Sequence, residues 1–241
     1  MKRTRDADLE ALNAYLQTPF ASSARYNEAT QCFNYTDDKG MTCDAGGLLS
    51  FLRAAYYPHY VEGRKPTRWG KSKGKPSNAA QGIQVDNDME RIAKNGGIGD
   101  NQLHPMSRAL LEHWQRKGHT IVAAQVPVRV DAMRMTRADV ITRDGKNGKL
   151  YVWEIKSGMA NALHDKQGDM RNIPGFGSSV PCTKANHWQL QCEYTRHALV
   201  GNAGLPIAGG RVIQVYEGRG NDAKIEVKEH RNAPWLKRLF T

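Results

Sequence analysis

Long apolar runs are missing from this sequence, and so is a hydrophobic leader. The mean hydropathy is -0.65, and no stretch approaches the roughly 20 apolar residues that a membrane-spanning helix needs. The opening residues, Met1 to Leu9, are highly charged and lack the apolar region of a signal peptide. We therefore expect no membrane association and no secretion. The expected location is the cytoplasm or the nucleus.

Cysteine is also scarce. The chain of 241 residues contains four, namely Cys32, Cys43, Cys182 and Cys192, and no C-x-x-C pair occurs. This usage is typical of intracellular proteins and predicts no structural disulfides. Because Cys192 lies in a predicted helix, we expect its thiol to pack in the core.

Acidic residues are too few to balance the basic ones. There are 24 Asp and Glu against 35 Lys and Arg, which gives a net charge of +11 and a pI near 9.6. Such an excess favours a polyanionic partner. It is concentrated only between Arg64 and Pro76, where Trp69 could stack on an unpaired base while the basic side chains contact phosphates; a solvated linker is the alternative. The basic residues of this segment are Arg64, Lys65, Arg68, Lys71, Lys73 and Lys75.

The segment R-A-D-V-I-T-R-D-G-K-N-G-K-L-Y-V-W-E-I-K-S-G has the pattern of a β-hairpin. Its β-branched and aromatic runs, residues 138–143 and 149–156, flank the dense turn signal D-G-K-N-G. Folding about that turn brings Asp139 opposite Trp153 and Glu154. A small register shift or bulge would then aim Asp139 at the same face as Glu154.

The hairpin is expected to gather two carboxylates and an amine. Side chains alternate along a strand, so Glu154 and Lys156 share one face while Ile155 points into the core. Carboxylates of this kind bind Mg²⁺ or Mn²⁺, with phosphate completing the metal shell. The chemistry that such a group suits is phosphodiester hydrolysis. In that reaction Lys156 would position or deprotonate the attacking water, or stabilise charge on the phosphorus centre. A surface hairpin with ordinary charges is the alternative interpretation.

Together with an upstream motif, the hairpin resembles the PD-(D/E)XK nuclease superfamily. Residues 82–91, G-I-Q-V-D-N-D-M-E-R, are similar to the helix motif G-x-x-V-H-x-x-x-E of its RecB-type and lambda exonuclease-type (YqaJ-like) branches. The resemblance places Glu90 at the acidic position, as a metal ligand or an orienter of one, and Asp86 where the family has His. Glu112, on the next predicted helix, is a rival that we interpret as a solvated carboxylate.

A downstream motif extends the resemblance. Residues 186–194, N-H-W-Q-L-Q-C-E-Y, are similar to the glutamine motif that follows the E-x-K strand in the same branches. A helical wheel places Gln191 on the face that packs on the sheet and Gln189 on the opposite, wetter face. The family pattern favours Gln189, whereas the wheel favours Gln191. Tyr194 would brace Gln191 or contact DNA, or simply pack in the core.

The resemblance implies an α/β fold with an αβββαβ core, a mixed sheet flanked by helices. It covers residues 82–216; we assign 81–241 to the nuclease core and 1–80 to a helical, basic extension packed on it. Asp139, Glu154 and Glu90 would hold the metal, Lys156 and a glutamine would act on the water or phosphate, and the cysteine spacing argues against an iron–sulfur cluster.

The implied function is a Mg²⁺- or Mn²⁺-dependent DNA nuclease, foremost an exonuclease in phage or viral recombination, replication or genome processing. A structure-specific endonuclease or resolvase is the alternative on the same core, and an inactive nucleic-acid-binding module is the alternative of another class. The expected partner is DNA, as double-stranded ends or single strands, besides a second copy of the chain or a recombination or replication protein. Periodicity predicts helices over 9–16, 45–56, 84–94 and 104–117, a strand over 119–130 and a last hairpin of 211–216 and 223–229.

Overall fold

The structure is a computed structural model and describes residues 6–27, 29–30, 32–56, 78–157, 170–172, 179–181, 184–218, 224–230 and 236. The helices in these ranges are α1 (Ala7–Leu16), α2 (Pro19–Ser23), α3 (Leu48–Tyr56), α4 (Asn78–Lys94), α5 (Pro105–Arg116) and α6 (Lys184–Gly201). The strands are β1 (Arg25–Asn27), β2 (Cys32–Thr36), β3 (Thr42–Gly47), β4 (His119–Arg129), β5 (Arg134–Asp144), β6 (Leu150–Ser157), β7 (Met170–Asn172), β8 (Ser179–Pro181), β9 (Ile207–Glu217) and β10 (Ile225–His230).

A mixed sheet forms the centre of the molecule. Its strands follow the order β1-β2-β3-β5-β6-β9-β10, with β4 also paired to β5. β3 runs parallel to β5 and β6 parallel to β9, whereas the other neighbours are antiparallel. The parallel step from β6 to β9 requires a crossover, and α6 lies within it. The predicted α/β class with a mixed sheet flanked by helices is therefore confirmed, while the PD-(D/E)XK assignment stays a prediction.

Helices cover both faces of the sheet and pack apolar side chains against it. On α5 the apolar stripe is Met106, Leu110 and Trp114, all buried at helical spacing. It packs with apolar residues of α4 and of β4, β5, β6 and β9 in one cluster. On the other face, α6 contributes Trp188 and Cys192 to a second cluster with α1 and the sheet. The prediction that Cys192 packs in the core is confirmed.

The N-terminal segment differs from the predicted helical extension. It contributes the strands β1, β2 and β3 to the central sheet, in addition to its helices. The helix predicted over 45–56 begins at Leu48, because Thr42–Gly47 pairs with β2 and joins β5 through Gly46 and Gly47. Strand pairing with a distant segment overrode the local helical pattern. The hydroxyl of Tyr15 donates to the carbonyl of Pro127 at 2.7 Å and ties α1 to β4.

The hairpin that carries the candidate site extends further than predicted. Strand β5 extends beyond the expected 138–143 at both ends, whereas β6 is the expected 149–156 shifted by one residue. The chain turns within D-G-K-N-G as expected. The helix predicted over 84–94 begins earlier, at Asn78. The basic segment from Arg64 to Lys75 lies outside the described residues, as does Cys182. The interpretation of both stays a prediction.

Candidate active site

The site begins where β5 and β6 separate. Their backbone pairing ends at Val140 and Trp153, and beyond that pair a carboxylate oxygen of Asp139 accepts a hydrogen bond from the Ile155 amide at 2.7 Å. The Asp139 side chain thus accepts a hydrogen bond at a position where the backbone pairing of the two strands has ended. Carrying the register one residue further sets Asp139 opposite Glu154, and directly opposite residues share a face. A departure from regular alternation does occur beside Asp139, because Val140 and Ala138 pack on opposite faces of the sheet.

Glu154 and Lys156 meet on that face. The Lys156 ammonium contacts the Glu154 carboxylate at 2.5 Å and lies 3.4 Å from the side-chain oxygen of Gln191 on α6. Glu154 is only 2 % exposed. Ile155 points to the opposite face, where it packs under α4 and α5. The predicted alternation along β6 is confirmed, and α6 brings a glutamine to the end of the lysine.

Asp86 is the site residue that the sequence analysis did not assign. Burial and, to a smaller extent, the neighbouring Asp139 carboxylate raise the pKa of Asp86 to about 7, against the opposing effect of Arg137 and Lys156. Asp86 therefore lies close enough to the fork between β5 and β6 for the charges of Asp139 and Lys156 to act on it. A signal existed in the sequence, since Asp86 occupies the His position of the motif, one helical turn before Glu90.

A glycine lets α4 approach the fork. A Cβ built on Gly82 would lie 3.2 Å from the hydroxyl oxygen of Ser157, which is the last residue of β6. The backbone of α4 therefore passes close over the end of that strand, and Asp86 follows one turn later on the same helix. The motif glycine thus has a packing reason that is independent of any family resemblance.

The carboxylates of the site disfavour one another's charged forms. Burial and the Asp139 carboxylate raise the pKa of Glu154 to about 8, although Lys156 acts against this. Burial also raises the pKa of Asp139, against the effects of Lys156 and of the Ile155 amide. For Lys156, burial acts to lower the pKa, but the carboxylates of Glu154, Asp139 and Asp86 together outweigh it and the pKa is raised. The lysine is therefore held as an ammonium in the free protein.

Glu90 lies at the margin of this group. Its side chain is 40 % exposed and pairs with Lys94 at 3.6 Å, and its carboxylate has only a minor effect on the pKa of Asp86. Of these two carboxylates on α4, Asp86 is the one whose charge acts on Glu154 and Lys156 at the fork. The rival Glu112 is exposed and pairs with Arg116 at 3.9 Å, which confirms its interpretation as a solvated helix carboxylate.

The glutamine motif is arranged only partly as predicted. Gln191 reaches Lys156 as the wheel suggested. Gln189 is 6 % exposed, so the expectation of a wetter face is wrong. The helix α6 is covered on more than one side, since Glu193 and Arg196 lie close to Gly210 of β9 while Leu190 packs on Leu48 and Leu52 of α3. Tyr194 is half-buried and packs against the same cluster.

The donor set suits a hard divalent cation. Within the described ranges, no group of three or more His, Cys, Asp or Glu side chains is arranged as a ready-made metal site. Mg²⁺, however, is bound through one or two carboxylates and retains several waters. Asp139 and Glu154 supply those carboxylates, and Asp86 adds a third anionic group nearby. A cation would also favour the charged forms of these carboxylates, which burial disfavours and which, for Asp86 and Glu154, the Asp139 charge disfavours as well.

Comparison of the chain with protein-family models, with curated proteins and with solved structures finds no match. Among the helices of the described part, none is both long and apolar enough to cross a membrane. The carboxylates, the lysine and the glutamine of the site are therefore the features that bear on function.

Proposed function

We propose that this chain is a Mg²⁺- or Mn²⁺-dependent DNA nuclease of the PD-(D/E)XK type. The observation that supports this best is the juxtaposition of Asp139, Glu154 and Lys156 at the fork between two strands, with Gln191 reaching the lysine from α6. Buried carboxylates with raised pKa values mark functional sites more often than structural ones. The net charge of +11 supports a polyanionic substrate.

Each side chain has a role that follows from its position. Asp139 and Glu154 would hold the cation, with Asp86 or Glu90 supporting it from α4. When bound, the cation polarises the phosphodiester and activates water for attack. Asp139 is oriented by the Ile155 amide, so its second oxygen stays directed by the backbone rather than by a mobile side chain.

Lys156 enters the reaction as a cation. Its raised pKa and its contact with Glu154 keep it protonated in the free protein. A buried ammonium beside the reacting phosphate stabilises negative charge that develops in the transition state. Gln191 limits the positions that the ammonium can adopt and offers its own amide to water or phosphate. Of the roles considered for Lys156, charge stabilisation and water positioning are the ones that this arrangement supports.

Exonuclease action on DNA ends, in recombination, replication or genome processing, is the proposed activity. The test is incubation of the purified chain with Mg²⁺ or with a chelator on end-labelled linear, nicked and covalently closed circular DNA. We expect metal-dependent loss of label from linear and nicked molecules. Cleavage of the closed circle would instead establish an endonuclease. Binding without cleavage of any form, in Mg²⁺ and in Mn²⁺, would contradict the proposal and favour a nucleic-acid-binding module.

A further inference from the structure

Strand β4 contains an unusual backbone conformation. Gln125 has a φ of 51°, and within the described part of the chain it is the one residue other than glycine with a positive φ. L-amino acids disfavour this left-handed region because the Cβ atom approaches the backbone, so glycine is the usual occupant. A glutamine in the interior of a strand is therefore held there against its local preference.

The unusual residue stands on the same rung of the sheet as the candidate carboxylates. Gln125 lies opposite Asp139, and Asp139 lies opposite Glu154 on the next strand. Neighbouring strands are about 4.8 Å apart, a distance that a glutamine side chain can span. The backbone pairs that flank Gln125 and fix this register are Ala124 with Val140 and Val126 with Ala138.

The strands change their packing faces at this rung. Ala124 and Val140 pack in the cluster under α4 and α5, whereas Val126 and Ala138 pack in the cluster under α1 and α6. Residues two apart on a regular strand point to the same face. The left-handed conformation of Gln125 provides the local reversal in β4, and the rung that carries Asp139 is where the sheet departs from regular alternation.

The Gln125 side chain has a second unfavourable feature. Its amide nitrogen is buried and has no hydrogen-bond partner. A buried donor without an acceptor is costly, and native structures retain few of them. Glycine at this position would suit the positive φ of the backbone and would also remove the unpaired donor. Strain and an unsatisfied group at one residue beside a candidate site point to a ligand that supplies the missing acceptor.

We propose that Gln125 is a substrate-contacting residue, whose side-chain amide donates a hydrogen bond to an anionic oxygen of the phosphodiester bound at Asp139 and Glu154. This inference rests on the proposed function, because the acceptor arrives with the DNA. The carboxamide turns toward the fork when the phosphate occupies it, and the donor is satisfied only in the complex. Gln125 thereby stabilises the bound phosphate. In the free protein its amide nitrogen does not hydrogen-bond to the carboxylates of Asp139 and Glu154.

The test follows side-chain amide resonances in the full chain labelled with [¹⁵N]glutamine. A short DNA duplex is added with Ca²⁺, which shares the preference of Mg²⁺ for oxygen ligands. Gln125→Asn assigns the Gln125 signal by its loss, Gln191 reports on the fork, and the exposed Gln115 of α5 serves as a control. We expect the Gln125 and Gln191 side-chain signals to shift on addition of DNA, and the Gln115 signal to remain unchanged.

A matched variant, Gln125→Gly, removes the side chain where the backbone conformation suits glycine. We expect it to fold with an unchanged or higher melting temperature and to bind the duplex about tenfold more weakly, the effect of one hydrogen bond to a charged group. A shift of Gln191 without a shift of Gln125, or wild-type affinity in the glycine variant, would overturn the inference alone. If no glutamine of the site responds to DNA, the proposed function fails as well and the inference falls with it.

Discussion

Replacing Asp86 by asparagine should make the free protein more stable near and above neutral pH. The pKa of Asp86 rises from 3.8 to about 7 on folding because of burial and the Asp139 carboxylate. The folded state therefore binds this proton more tightly than the unfolded chain does. The resulting stabilisation is complete below pH 3.8 and is lost as the pH rises through about 7. Asparagine does not ionise, so the variant avoids that loss.

The magnitude follows from the size of the shift. A rise from 3.8 to about 7 is roughly three pKa units, and each unit corresponds to about 1.4 kcal/mol. The upper limit is therefore about 4 kcal/mol near pH 8. Glu154 titrates over the same range, with Asp86 as one cause of its raised pKa. Part of the effect is shared between them, and we expect a gain of about 1–4 kcal/mol.

Urea unfolding between about pH 4 and pH 8 in chelator measures this gain, with Glu112→Gln as the control for loss of an exposed carboxylate. The Asp86→Asn curve should lie above wild type near pH 8, and the two curves should approach each other as the pH falls toward 3.8. Mg²⁺ should narrow or reverse the difference, because wild type binds it more tightly. Equal stabilities at all pH values would show that Asp86 does not face the fork, and the reasoning would be refuted.

Three further perturbations test other parts of the structure. Lys156→Ala should retain Mg²⁺ and DNA binding but lose orders of magnitude in turnover, and Lys156→Arg should not restore it, since a guanidinium has a different shape; substantial rescue would show that a point charge suffices. Gly97→Ala should lower the melting temperature far more than Gly96→Ala does. Both glycines have a positive φ, but a Cβ on Gly97 would lie 2.5 Å from a Thr120 methyl, whereas one on Gly96 would meet no atom within 4 Å. Replacing the six Arg and Lys residues between positions 64 and 75 by Gln should reduce the slope of log K for DNA binding against log salt concentration by at most about five. An unchanged slope would show that the segment is a solvated linker.

The parts of the site that lie on one hairpin could be predicted from sequence. Strand alternation and a strong turn signal were enough to set Glu154 and Lys156 on one face and Ile155 on the other, because both are local properties of the chain. The position of Asp139 opposite Glu154 followed from the pairing register of the two strands. The exposed position of Glu112 also followed from its place on an amphipathic helix.

The parts that depend on contacts between distant elements could not. The involvement of Asp86 follows from how closely α4 passes over β6, which local periodicity does not contain. The burial of Gln189 also depends on tertiary packing, because α6 is covered both by the sheet and by α3. The left-handed Gln125 has no signal in composition, because a glutamine there contradicts backbone preference. The helix predicted over 45–56 included the last three residues of β3, whose pairing with β5 joins segments that are remote in sequence.

The central claim is that the fork between β5 and β6 performs phosphodiester hydrolysis. Its most direct test is single-turnover cleavage of linear DNA in Mg²⁺ by wild type, Asp139→Asn and Glu112→Gln. Asparagine keeps an acceptor for the Ile155 amide, so circular dichroism should show an intact fold. We predict cleavage by wild type and by Glu112→Gln, and a cleavage rate at least about a hundredfold lower in Asp139→Asn. Wild-type rates in Asp139→Asn would show that the fork does not hydrolyse the phosphodiester.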